Sequence, residues 1–340
     1  GPSAAWLAHM NAIVDYAHAR GVGVGLGLQV FGESNLQNAF DLVDEAAPDP
    51  VTAIPLRLDA LAGVDLDGIN LSFGEFFGAD PASFIATLDL AVGAVRERWP
   101  DADVSGVVHV GNFPDLQVEY MGETLMYYYL VRYAADPDFV PWIHTVMYYD
   151  LFEDAGGAYG YDVFDEHREY LFERLEAGQP VAYFPETAYW IAFDNPIPQY
   201  LPLYVRSRHL DLARIREQAS TNGHADLDAH ILFSSGWEWG YWQNDWASLR
   251  MSYELPDKWE GLFDDMLASY GDQGARIATV VKALVRDQHT AMIEGRLSEW
   301  MASRDATFDI GEALGVFSQP RRPSYEAIAG MSPAERTAFR

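Results

Sequence analysis

Apolar residues along this chain fall into six short runs, separated by longer stretches in which they recur every three or four positions. The runs are VGVGLGLQVFG from Val22, LDGINLSFGEFF from Leu66, VSGVVHVGNF from Val104, IHTVMYYDLF from Ile143, PVAYFPETAYW from Pro180 and HILFSSGWEWGYW from His230. Each ends in Gly, Pro, an acid or aromatic residues, as a buried parallel strand does when it runs into a loop. Between them, SFIATLDLAVGAVRERW sets Phe84, Leu88, Val92 and Val95 on one helical face, behind an Asp80-Pro81 start signal. Helices are also predicted over 123–134, 165–178 (closed by Gly178) and 203–219, with the stripe MYYYLVRY at 126–133 read as helix packing.

Strands alternating with helices at this period predict a parallel α/β fold. Two architectures compete. A doubly wound sheet should open a helix with a glycine-rich phosphate turn, whereas the glycines of GVGVGLG (21–27) alternate along a strand. A (β/α)8 TIM-type barrel fits the regular units better and places chemistry at the strand C-termini. The chain opens on a helical pattern over 6–21, so the first barrel strand is expected upstream or missing. A last strand is expected near 306–317, and Trp259–Met301 reads as mostly helical. The expected organisation is a barrel with its active-site face over 1–256 and a helical C-terminal region over 257–340.

Charge narrows the partners. Lys and Arg total 22 against 51 acids, a formal net charge of −29, and the only lysines are Lys258 and Lys282. Such a surface repels phosphate backbones and polyanionic glycans, so nucleic acid is not an expected partner. The apolar runs are too short for a membrane span. Cysteine is absent, which removes disulfides, thiolate metal sites and a cysteine nucleophile from consideration.

The strand ends carry the candidate chemistry. They deliver Gln29, Glu75, His109 with Asn112, Tyr148 with Asp150, Glu186, and Glu238 set between Trp237 and Trp239. A lone acid at a strand end often caps the next helix, and a lone His in an apolar strand is commonly a core residue. The collective pattern points further. Glu186 and Glu238 would lie on adjacent strands among aromatics, where burial raises a carboxyl pKa toward general-acid duty.

These residues resemble the glycoside hydrolases built on (β/α)8 barrels, over about residues 22–250. The likeness rests on Trp237-Glu238-Trp239, Pro185-Glu186-Thr187 and Asp67-Gly68-Ile69-Asn70 followed by Glu75. In the largest clan of that group glutamates end the fourth and seventh strands. Glu238 matches the seventh-strand nucleophile, while the fourth strand here supplies His109 and Asn112 instead. The stretch from Asp67 resembles the Asp-Gly-x-Asp-x-Asp-x-Glu strand of chitinases, with one extra residue and with Asn70 and Ser72 in place of acids. The resemblance is therefore to the broad class and to no single family.

It implies two-carboxylate hydrolysis of a neutral or amino-sugar oligo- or polysaccharide, with no cofactor. Glu186 and Glu238 form the expected pair, and Glu75 and Asp150 are reserves. Gln29, His109, Asn112 and Tyr148 would bind sugar hydroxyls, and Trp190, Trp237, Trp239 and Trp242 would form apolar platforms. A polysaccharide substrate would favour a secreted, periplasmic or cell-surface location. Two alternatives stand beside this reading. One is a barrel that binds glycans without cleaving them. The other is a metal-dependent hydrolase with His109, His144, Asp150 and Glu186 as ligands, although no His-x-His pair is present in these segments. A serine hydrolase fits least, because Ser234 and Ser235 lack the Gly-x-Ser-x-Gly elbow.

Overall fold

The computed structural model describes residues 2–31, 40–44, 47–73, 80–109, 117–158, 161–188, 200–223, 226–233, 238–298 and 330–339. Its centre is a seven-stranded, all-parallel sheet. The strands in chain order are β1 (Gly25–Phe31), β2 (Phe40–Val43), β3 (Gly68–Ser72), β4 (Asp103–Val108), β5 (Gln117–Tyr120), β6 (Glu123–Met126), β7 (Val140–Thr145), β8 (Ala182–Pro185) and β9 (Ala229–His230). The sheet runs β2-β1-β3-β4-β7-β8-β9, while β5 and β6 form a separate antiparallel pair. From β1 onward the order follows the chain in one direction, apart from β2 on the outer edge.

Helices connect and flank these strands: α1 (Ala4–His18), α2 (Pro50–Asp59), α3 (Pro81–Arg98), α4 (Asp165–Glu176), α5 (Leu203–Asn222), α6 (Glu238–Tyr253), α7 (Trp259–Leu267), α8 (Gly271–Gln288) and α9 (Pro333–Phe339). Local chemistry sets their ends. Asp80 accepts from the Ser83 N–H at 3.0 Å ahead of Pro81, satisfying an orphan donor of α3. Gly223, at φ 71°, closes α5 in the left-handed conformation that glycine adopts without steric cost. None of the described helices is long and apolar enough to cross a membrane.

Register sorts the sheet into two unlike faces. Leu28, Leu71, Gly106 and Pro141 stand side by side, as do Val108, Ile143 and Tyr183. This apolar face meets helices. Phe84 of α3 packs edge-on to Phe73 at 5.2 Å, and Arg208 of α5 donates to Thr145 Oγ1 and the Tyr183 hydroxyl. The opposite face is mixed, with Trp142 between Val107 and Ala182 on its far strands. Gly27, Asn70 and Ser105 align, with Asn70 Nδ2 donating to Ser105 Oγ at 3.0 Å, and His144 aligns with Phe184.

Two sequence expectations change. The helix predicted over 123–134 is instead the second strand of a hairpin followed by a 3-10 turn at Tyr127–Tyr133. Met121 (φ 54°) and Gly122 (φ 87°) form a positive-φ turn that suits tight hairpins, and it pairs Gln117–Tyr120 with Glu123–Met126. The tyrosine stripe does pack, since Tyr127, Tyr128 and Tyr129 are buried. The strand expected from His230 through Trp242 is short. Among the described residues it pairs at Ala229–His230, with one further bridge from Phe233 to Glu186, and Glu238 opens α6. Tyr241, Asn244, Ala247, Ser248 and Met251 are buried at helical spacing, so Tyr241 belongs to the inner face of a helix rather than to a strand end.

The predicted helices between Trp259 and Met301 are present as α7 and α8, followed by a short π-helical turn at His289–Glu294. They dock on α5. Gln288 Oε1 accepts from the Leu203 N–H at 3.3 Å, and His209 Nε2 hydrogen-bonds the Pro256 carbonyl at 2.7 Å. The last strand expected near 306–317 lies outside the described residues.

Candidate active site

Parallel strands present their C-terminal ends on one edge of the sheet, and there β7 and β8 bring His144 and Glu186 together. Glu186 follows β8 directly. Its N–H donates to the Thr145 carbonyl at 2.9 Å, which continues the ladder by one residue. The residue is 3% exposed, and Oε2 accepts from the Met147 N–H at 2.7 Å. His144 Nε2 stands 3.8 Å from Oε1. The imidazole stacks near Phe184 (4.6 Å between centroids), with His109 at 5.0 Å and Phe233 at 6.1 Å.

Burial controls the charge state of both groups. It pushes the Glu186 pKa up to about 8, against the opposing pull of the Met147 N–H and of Arg208. It also holds His144 well below the usual imidazole range, with His109 adding to the effect. His144 Nδ1 lies 2.9 Å from the Phe184 carbonyl, which can only accept, so Nδ1 carries the proton and Nε2 presents a lone pair. The pair is therefore a neutral acid beside a neutral imidazole at pH 7, not an ion pair.

Behind this pair, on the helix side, lies a fully buried cluster that sequence reasoning missed. Arg208 and Asp211 of α5 are both 0% exposed and bonded to each other at 3.1 Å. The Tyr183 hydroxyl donates to Asp211 Oδ2, and the Leu151 N–H donates to Oδ1 at 2.7 Å. Burial, with Asp150 adding to it, raises the Asp211 pKa to about 7. Nearby, Tyr204 and Tyr241 bury hydroxyls with no hydrogen-bond partner among the described residues, and Asn244 Nδ2 holds the Thr187 carbonyl at 2.8 Å. The one available signal was charge at helical spacing: Arg208 and Asp211 sit three apart on an otherwise apolar face of α5.

The remaining predicted residues separate. Asp150 is buried, but its Oδ1 accepts from the Phe152 and Glu153 N–H groups at 2.8 and 2.7 Å, so it shapes its own loop. Burial is also the main cause of its raised pKa. Gln29 is buried in β1 and donates to the Phe31 carbonyl at 2.7 Å. Tyr148 is buried with its hydroxyl 3.5 Å from Met292 Sδ, facing the helical C-terminal part. His109 stands at the end of β4, 5.6 Å from the Tyr128 ring. Trp242 lies on α6 and is 45% exposed. Glu238 and Trp239 occupy the first turn of α6, where the backbone is described and the side chains are not. Glu75, Asn112, Trp190 and Trp237 lie outside the described residues.

Among the described residues no group of three His, Asp or Glu side chains is arranged to hold a metal ion. Of the ligands expected for a metal site, His144 and Asp150 already use Nδ1 and Oδ1 in hydrogen bonds. No family model matches the sequence, and no curated protein or solved structure is significantly similar to it.

Proposed function

We propose that the protein is a glycoside hydrolase built on a (β/α)8 barrel, acting on a neutral or amino-sugar oligo- or polysaccharide. Glu186 is the general acid and Glu238 the partner carboxylate. The observation that carries the reading is the buried Glu186 carboxyl at the C-terminal edge of a parallel sheet, where burial raises its pKa to about 8. An acid that keeps its proton at neutral pH can deliver it to a departing glycosidic oxygen. The sequential strand order, with helices against the apolar face, supports a sheet that curls into a barrel. The net charge of −29 favours uncharged or cationic sugars over polyanions.

In the proposed reaction Glu186 protonates the leaving oxygen while Glu238 attacks the anomeric carbon or activates water on the opposite face. His144, neutral and fixed by the Phe184 carbonyl, keeps a second charge away from the acid. The depth of Glu186, 3% exposed, supports a second reading in which the barrel binds glycans without cleaving them.

Aryl glycosides of graded leaving-group ability distinguish the two. Glu186→Gln should lose roughly 10²- to 10⁴-fold in kcat/KM on poor leaving groups and little on activated ones, because only the former need the proton. Glu238→Gln should lose both. Activity should also fall above about pH 8 as Glu186 ionises. A protein that binds neutral glycans and cleaves none in the screen would decide for the second reading.

A further inference from the structure

A guanidinium without any solvent contact must place its donors inside the fold, and Arg208 does so on a small group of acceptors. Nε donates to the Glu186 carbonyl at 3.0 Å and Nη2 to the Met147 carbonyl at 2.7 Å. Nη1 is shared among Thr145 Oγ1, the Tyr183 hydroxyl and Asp211 Oδ2, at 2.8, 2.9 and 3.1 Å. Stability alone is a poor account of such a residue, since a buried charged group, even when bonded, often holds a fold no better than apolar residues of similar volume. What Arg208 supplies is fixed geometry.

That geometry converges on the acid. Met147 gives its N–H to Glu186 Oε2 and its carbonyl to Arg208, so one peptide segment is gripped from both sides. Met147 is also held at φ 57°, a left-handed conformation that disfavours a non-glycine residue and persists only where its surroundings enforce it. The second carbonyl on Arg208 belongs to Glu186 itself. The planar fork thus spans the ends of β7 and β8 and sets the distance between the acid and the N–H that orients it.

We infer that Arg208, braced by Asp211, is the positioning residue for Glu186: by clamping the carbonyls of Met147 and Glu186 it holds the Met147 N–H against the carboxyl. The inference rests on the proposed role of Glu186 as the acid. Arg208 touches no substrate and acts only through these two peptides. Losing the fork lets the Met147 turn relax and the carboxyl drift, while the substrate contacts stay in place.

The test compares wild type with Arg208→Lys, which keeps the charge and loses the fork. In a folded Arg208→Lys variant kcat should fall roughly 100-fold with KM changed only a few-fold, the mark of a misplaced catalytic group. A second readout needs no sugar. With 15N-methionine labelling, the Met147 amide of the wild type should titrate with Glu186 near pH 8, and this response should vanish in Glu186→Gln and in Arg208→Lys. Unchanged kcat, or a Met147 amide that titrates in folded Arg208→Lys as in wild type, overturns the inference. If Arg208→Lys does not fold, Asp211→Asn removes the brace and should lower kcat without raising KM. An unchanged kcat and an unchanged Met147 titration in that variant overturn it equally. Should the protein cleave no glycan, the amide readout still decides the positioning while the proposed function fails on its own.

Discussion

His144 presents Nε2 to Glu186 Oε1 across 3.8 Å, and neither group carries charge at neutral pH. The separation is within the range of a salt bridge, yet both side chains lie under an almost complete cover of protein, where an ion pair costs more to desolvate than it returns. The hydrogen bonds settle the protons. Phe184's carbonyl takes the Nδ1 proton and Met147's N–H occupies Oε2, so the acidic proton belongs on Oε1, toward the imidazole lone pair. At 3.8 Å that proton is not given up in a direct hydrogen bond. It stays on the carboxyl, as a general acid requires.

This arrangement gives stability a definite pH dependence. Glu186, raised to about 8, and Asp211, raised to about 7, hold protons in the folded state that the unfolded chain has already lost. Their contribution is complete below the ordinary carboxylate range and disappears as pH rises through 7 to 8. Buried histidines act in the opposite sense. His167, lowered to about 3, and His230, lowered to about 4, contribute fully above pH 6.5 and lose that contribution on acidification. Between pH 6.5 and 8 both acids titrate in the folded state, so the urea midpoint of the wild type should fall, with each proton differing on these acids worth about 1.4 kcal/mol per pH unit. Glu186→Gln should flatten this slope and exceed the wild type in stability at pH 8.5. Parallel slopes for the two proteins would place the effect elsewhere.

Asp150 offers a separate check on which acids do chemistry. Its Oδ1 takes the Phe152 and Glu153 N–H groups, a task an amide oxygen can perform as well. Asp150→Asn should therefore keep turnover within a few-fold, whereas Asp150→Ala should lose about 1–2 kcal/mol in urea unfolding. A thousand-fold fall in kcat for the Asn variant would return Asp150 to the reacting groups.

The legibility of this protein was uneven, for physical reasons. The strand cores at Leu28, Ile69, Val104 and Ile143 and the cap at Asp80 follow from local rules of period and capping, and all were readable in the sequence. Glu186 was readable too, because an acid at the end of an apolar run stands out. Tertiary effects were not. The burial of Tyr241 on α6 and the strand-like look of the segment around Glu238 have the same local composition, and only packing against neighbouring helices separates them. The hairpin at Met121 and Gly122 was hidden by a helix-like stripe of tyrosines. Arg208 was the hardest to see, since an arginine on a helix normally faces water, and its five acceptors come from the ends of two strands and from its own next turn.

Two glycines inside helices should respond to the same substitution with opposite signs. Gly93, on an exposed position of α3, has open space where a Cβ would go, with nothing within 4 Å. Gly93→Ala should raise stability by about 0.5–1 kcal/mol, the ordinary helix preference for alanine. Gly274, buried in the first turns of α8, would drive its Cβ into the Leu267 carbonyl oxygen and bring it to 3.2 Å from Tyr270 Cβ. That oxygen belongs to the backbone at the end of α7 and cannot swing aside as a side-chain tip would. Relief requires α8 to move away from α7, against the packing of Leu262, Phe263, Ala278 and Val281. Gly274→Ala should accordingly cost about 1–3 kcal/mol despite its better helix propensity. Chemical unfolding of both variants measures the difference, and a stabilised Gly274→Ala would mean that α8 shifts away from α7 at little cost.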